Sequence, residues 1–357
     1  MKAKKNAGLF VAALGLLLAS FFFARCGEHR IRGQGGAPAG VATRQIEFPR
    51  NRKARRTPTP TVADAPPPTT PMVGRDKLAR ALASPGKDGA IVIEVNAIRH
   101  SSLVDKLFAC QEAGKDGETK GIAALKDRLG IDISEDVDRV AFDKDVLAVS
   151  GFFQDLKLPA EMGSGESYGD GGRLFKVKDD SGVDMVIGKV GDELLVTAFS
   201  AAEVKGAIDR AEGRSAAGPT FPDGIAAGEI YGLVGPAFLK DLLGGLDDPA
   251  AARLADVVTQ STLQIAVDDA AALSMDLQTR TPQEGQDLSK ALGGLVAAAR
   301  AQAEQSGNLE LVGLLAQTHI VPRDDGSIAL DIALPGTDLL RVFGCDEHGK
   351  ALSDPRP

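Results

Sequence analysis

Between residues 88 and 345 one order of apolar patterns is written twice, and that repetition constrains what the chain can fold into. The first copy opens on IVIEVNAI (91–98), where Ile91, Ile93, Val95 and Ala97 alternate onto one face, as a half-buried strand requires. Leu103, Leu107 and Cys110 follow at helical spacing, and Ile122, Leu125 and Leu129 form a second helical stripe over 119–129. DRVAF and DVLAVSGFF read as two strands joined by the polar turn DKD. RLFKV, DMVIGKV and ELLVTAF then read as a meander with Gly/Asp turns. Ser200 and Glu203 make a capping box for a helix through Val204, Ile208 and Ala211 that Gly213 stops.

From residue 229 the order restarts. EIYGLVG matches IVIEVNA, and AFLKDLL matches SLVDKLF after it. A helix is expected over 250–259, then alternating strands in TLQIAVD and ALSMDLQ. Thr281, Pro282 and Glu284 mark a strong helix start, as N-cap, N1 proline and capping-box acid. That helix carries Leu288, Leu292 and Leu295 and ends at Gly307. A short helix over 309–317 follows. HIVPRDDGSIALDIAL is a hairpin turning at Asp324–Gly326, and TDLLRVF is a closing helix. The expected fold is α+β: two tandem, duplicated sheet-plus-helix domains, 88–215 and 229–345, each with helices on one face. A hinge over 216–228 joins them and a tail, 346–357, follows.

Ahead of this body, Lys2, Lys4 and Lys5 precede an uncharged apolar run, residues 7–24. At about 1.5 Å rise per residue such a run is just long enough for a bilayer core of about 30 Å. Small residues are missing from the −3 position of cleavage points after Ser20 or Ala24. Arg25 stands directly before Cys26, where a lipoprotein signal carries a small residue. The favoured reading is an uncleaved signal anchor over 1–26, with the body on the periplasmic side of a bacterial inner membrane. A lipoprotein modified at Cys26 and a cleaved periplasmic protein stay open. Residues 27–87 read as a disordered basic and Pro-rich linker that includes the polyproline-type stretch TPTPTVADAPPPTTP (57–71).

Charge separates arm from body. Residues 1–56 hold twelve Lys/Arg against Glu28 and Glu47, or +10; the remaining 29 basic and 47 acidic residues leave −18. An acidic body is a poor nucleic-acid surface. No Trp and only two Tyr leave no aromatic platform for bases. The cluster Arg50, Arg52, Lys53, Arg55 and Arg56 is the candidate contact for an anionic surface.

The run LKDRLGIDISEDVDRVAF, followed by DVLAVSGFF, resembles a family of exported bacterial membrane-anchored proteins of unknown function with duplicated α+β domains. That resemblance assigns no catalytic residue.

Chemistry is sparse. His29, His100, His319 and His348 lie at no metal-ligand spacing with one another or with Cys, and Cys345, Asp346 and His348 are too close in sequence for a closed site. Ser101 or Ser102 beside His100 reads as a helix N-cap. The glycine-dense GSGESYGDGG (163–172) has neither dinucleotide-fingerprint nor P-loop spacing and reads as a surface loop. Cys110 and Cys345 either form a disulfide across the body or remain two separate thiols. No cofactor or metal is implied. The expected function is a non-enzymatic, membrane-tethered envelope protein that binds a protein or envelope partner. A passive scaffold and a hydrolase with a site between the halves are the alternatives.

Overall fold

The computed structural model describes residues 48, 76–83, 88–114, 133–154, 156, 164–178, 184–216, 218–219, 221–222, 224–243, 256–307, 309–342 and 345–350. It is a mixed α+β structure built on one large antiparallel sheet. The elements run α1 (Lys77–Ala81), β1 (Gly89–Ile93), α2 (Val95–Ile98), α3 (Ser102–Gly114), α4 (Ile133–Asp136), β2 (Val137–Phe142) and β3 (Val146–Gly151). Next come β4 (Glu166–Tyr168), β5 (Gly172–Lys178), β6 (Asp184–Val190), β7 (Leu194–Ala198) and α5 (Ala201–Ala211). After a 3-10 turn (Ile225–Ala227) follow β8 (Ile230–Val234), α6 (Pro236–Leu243), β9 (Val258–Val267) and β10 (Ala271–Thr279). The chain closes with α7 (Pro282–Ser306), α8 (Leu309–Ala316), β11 (Thr318–Pro322), β12 (Ile328–Leu334) and α9 (Gly336–Val342).

The twelve strands lie in the order β11-β12-β10-β9-β8-β1-β2-β3-β7-β6-β5-β4. Outward from the centre, β1-β2-β3-β7-β6 on one side corresponds to β8-β9-β10-β12-β11 on the other; β4 and β5 extend only the first arm. The centre is the antiparallel pair β1–β8, with Ile91 opposite Gly232, so the sheet runs unbroken between the two predicted segments.

Strand register sorts side chains onto two faces, because directly opposed residues share a face. One face carries Val92, Ala141, Ala148, Val196 and Tyr231, and α1 and α5 cover it through Leu78, Leu82, Val204 and Ile208. The opposite face carries Leu263 and Met275, covered by Phe238 of α6 and Leu288 and Leu292 of α7. Leu339 and Leu340 of α9 also pack on that opposite face, beside Leu103 and Cys110 of α3. Thus α5 and α9, which follow equivalent strands, sit on opposite faces.

Three expectations change. The linker was expected to run to residue 87, yet α1 lies inside that segment with Leu78 1% and Leu82 0% exposed. Its N-cap Asp76 accepts from the Leu78 N–H at 3.0 Å and is held bidentately by Arg139, so the folded body starts by Asp76. The strand expected over 91–98 stops at Ile93: the Glu94 N–H donates to the Glu229 carbonyl at 2.7 Å and Val95–Ile98 coil into a turn of helix. The glycine-rich loop holds a strand, Glu166–Tyr168, which turns through Gly169 and Gly171, both at positive φ, to pair with β5. Within the expected hinge, Phe221 is buried edge-on against Tyr231, with ring centroids 5.9 Å apart. The helix expected over 119–129 and the membrane run lie outside the described residues, as does most of the helix expected over 250–259; Val258 and Thr259 are strand.

Candidate functional site

The sequence THIVP is β-branched at Thr318, Ile320 and Val321, which suits an extended pleated surface. It forms β11, the outermost strand on one side, and pairs only with β12 among the described residues. Its hydrogen-bond phase follows from two flanking bonds: the Ala333 N–H donates to the Gln317 carbonyl at 3.3 Å, and the Arg323 N–H to the Ser327 carbonyl at 2.8 Å. Antiparallel pairing alternates inward and outward backbone groups. His319 and Val321 therefore point their amides at β12, while Thr318, Ile320 and Pro322 point theirs away from the sheet. Pro322 has no N–H, so the outer edge offers the N–H groups of Thr318 and Ile320. The Val321 side chain beside it is 52% exposed.

Below β11 lies a shallow groove of about 370 Å³ formed by Gly293, Val296 and Ala297 of α7, Leu315 and Ala316 of α8, and Thr318 and Ile320. Arg300 at its border is paired with Glu304 at 3.1 Å. A Cβ built on Gly293 or Gly294 meets no atom within 4 Å, so helix packing does not require either glycine.

The other edge of the sheet is β4, which pairs only with β5 among the described residues. β4 has three residues. Glu166 is paired with Lys205 at 2.9 Å, and the Tyr168 hydroxyl donates to Asp209 at 2.9 Å. The Tyr168 ring lies under Lys205 and Arg214, whose cations are 5.0 and 5.6 Å from its centroid. A short, charged edge strand resists addition of another strand.

A row of polar side chains crosses the second half: His319, Asp331, Ser274 and Gln264 stand directly opposite one another on β11, β12, β10 and β9. Ser274 donates to Asp331 at 2.8 Å, and Gln264 donates to the carbonyls of Gly224 and Ile225 at 2.9 and 2.8 Å. Nucleophilic catalysis places the imidazole between serine and carboxylate. Here the carboxylate is in the middle and His319 is two strand spacings, roughly 10 Å, from Ser274. The serine proton therefore goes to Asp331, and the row fastens strands. Sequence reading missed it because directly opposed members are 10 to 57 residues apart and meet only through strand register.

A second polar cluster binds α1 to the sheet. Besides holding Asp76, Arg139 lies near Glu94, which accepts from the Tyr231 hydroxyl at 2.9 Å. Burial, then the Glu94 carboxylate, push the Tyr231 phenol far up, so it stays a neutral donor.

The structure joins Cys110 and Cys345 in a disulfide, with sulfurs 2.01 Å apart in an apolar cluster with Leu103, Leu107, Leu339 and Leu340. Ser101 caps α3: its hydroxyl accepts from the Val104 N–H at 3.4 Å and donates to the Asp268 carbonyl at 2.6 Å, while His100 is exposed. Asp346 accepts from the backbone N–H groups of Lys350 at 2.8 Å and His348 at 2.9 Å, which hold its carboxyl below the usual range. No group of three or more His, Cys, Asp or Glu side chains suited to a metal occurs among the described residues. Cys26 and the basic cluster at Arg50, Arg52, Lys53, Arg55 and Arg56 lie outside them.

No family model matches the chain, and no curated protein matches it. Among solved structures, "Structure of crystal form I of TP0453" is similar at 12% identity and a TM-score of 0.39, covering 76% of this chain and 97% of that one. A likeness of that size carries no argument about fold or function.

Proposed function

We propose that the chain is a non-enzymatic, membrane-tethered protein of the bacterial cell envelope whose body binds a protein partner along β11. The observation that carries this is the contrast between the sheet's two edges: β4 is three residues long, with Glu166 in an ion pair and Tyr168 hydrogen-bonded to Asp209, whereas the five-residue β11 presents two outward N–H groups above a shallow groove of mixed polar and apolar lining. Strand addition of this kind takes affinity from main-chain hydrogen bonds and specificity from pockets for alternate side chains. Residues 7–24 would supply the tether, and the basic cluster at 50–56 would rest on an anionic surface. A buried disulfide suits an oxidising compartment and so favours a body outside the cytoplasm. The matched strand order of the two arms supports a duplicated origin, from which α9 has departed by packing on the other face.

Photo-cross-linking residues placed at 321 and at 166 of the full chain, in its own membrane, test this reading. Position 321 is expected to give discrete protein adducts and position 166 none. Equal adducts from both positions, or none from 321, overturn it.

A further inference from the structure

We propose that the N-terminal arm docks on its own body: residues 44–52, RQIEFPRNR, cross the face of β9, β10 and β12 that the described helices leave uncovered, with Phe48 seated on Ala266, Ala272 and Ala333. This does not depend on the reading of β11 as a docking edge.

Strand register sets Ala266, Ala272 and Ala333 directly opposite one another, on the face that α1 and α5 cover over the first arm of the sheet. Over the second arm, α6, α7 and α9 pack on the other face. No described helix lies above the three alanines, yet Ala272 is 2% and Ala333 6% exposed, and Ser274 beside them 1%. Side chains stand roughly perpendicular to a sheet, so short ones without a cover keep their outer side in water. One strand farther out on the same face, His319 is exposed and Val321 is 52% exposed, as uncovered positions are. Something other than a described element therefore covers the alanines, and it stops short of β11.

The topology selects the arm as that cover. Residues 115–132 leave from α3 and residues 244–255 from α6, both helices of the opposite face. Residues 351–357 follow Gly349, which packs on Lys106 of α3. Residues 157–163 and 179–183 join strands of the first arm. The N-terminal arm instead enters the body at α1, on the alanine face. Phe48 is half-buried although it precedes Asp76 by 28 residues, so this aromatic ring has packing neighbours.

The sequence around Phe48 fits the face. Extended chain alternates sides, and the residue before a proline favours extended backbone. Arg44, Ile46, Phe48 and Arg50 then share one side, two apolar residues between two cations. The face offers the complement: alanines beside Asp331 and Asp276, the latter also paired with Arg323 at 2.7 Å. Arg52, Lys53, Arg55 and Arg56 are left for an anionic surface. Given a membrane tether at residues 7–24, docking leaves 17 residues between Cys26 and the body instead of 49, a reach of at most about 60 Å instead of about 170 Å. A contact of this size releases before the body unfolds, so it leaves the denaturant midpoint of the body where it is.

The test uses the full chain in membranes, with Cys26→Ser to remove the third cysteine. A photoreactive benzophenone side chain in place of Phe48 is expected to give an intrachain adduct that maps to β9, β10 or β12. In a second variant, Ala333→Cys is expected to react slowly with a maleimide. Adding Phe48→Asp is expected to speed that reaction about ten-fold, close to 1.4 kcal/mol in the docking equilibrium. His319→Cys, beyond the cover on the same face, is expected to react at one rate with and without Phe48→Asp. An adduct from position 48 to the opposite face, to the first arm or to another protein overturns the proposal, as does no adduct. Unchanged labelling at 333, or equal acceleration at 333 and 319, also overturns it. Cross-linking at 321 tests the β11 reading alone, so either proposal can fall without the other.

Discussion

Asp143 follows β2 in the DKD turn, and its carboxylate accepts from three backbone N–H groups: Ala83 at 2.8 Å, Asp145 at 2.9 Å and Val146 at 2.8 Å. One side chain thus shapes a hairpin and pins the end of α1 to it. Burial pushes its carboxyl up, against the pull of those N–H groups. A carboxyl raised in the folded state binds its proton more tightly there than in the unfolded chain. Its contribution to stability is therefore greatest at acid pH and declines as pH rises from the ordinary carboxylate range through the raised value. Asp143→Ala is expected to cost roughly 1–3 kcal/mol by stranding buried donors. Asp143→Asn keeps one acceptor oxygen, costs less and removes this pH dependence; urea unfolding at several pH values measures both. Gly293 and Gly294 give the opposite expectation. Each has open space where a side chain would go, so Gly293→Ala and Gly294→Ala should each stabilise α7 by about 0.5–1 kcal/mol in thermal unfolding.

Among the elements, α1 has the most to say about where the body begins. Its Leu78, Ala81 and Leu82 are buried, and Arg210 of α5 donates to the Ala81 carbonyl at 3.0 and 2.7 Å. A chain begun at residue 88 is therefore expected to lose several kcal/mol, since removing one large buried side chain costs about 2–5. A chain begun at 75 should match the full body in denaturant unfolding. The sequence did not reveal α1, because KLARA is only five residues long and follows a proline-rich run. Longer elements were legible. The Ser200–Glu203 capping box forms as read, and Thr281 caps α7, which ends at left-handed Gly307. The acid half of that second box does not form: Glu284 Oε2 is buried without a hydrogen-bond partner in the described structure. The β11 strand was visible in HIVPRDDGSIALDIAL, but its place at the sheet's edge was not. Periodicity reports which face a residue takes, and says nothing about which strand is last.

Across the whole molecule, the same limit applies to the sheet. Two copies of an element order were readable, while the β1–β8 pair that runs them together depends on contacts between residues about 140 apart. The disulfide spans a longer interval still, 235 residues. In the chain-entropy account a closure of that length stabilises by roughly 5 kcal/mol. Reduction is accordingly expected to lower the urea midpoint well beyond the effect of any single substitution above. With Cys110 and Cys345 4% and 0% exposed, it should proceed only as fast as the body opens. Thiol labelling against denaturant follows that rate.

The bond also turns residues 110–345 into a covalent ring. A protease that cuts the backbone once anywhere inside that ring linearises it without releasing a fragment. All pieces stay attached to the arm at the N-terminal end, and the nicked protein keeps its intact mass plus one water until a reductant is added. A chain anchored by that arm would tolerate a first cut in an environment rich in proteases, and only a second cut would shed part of the body.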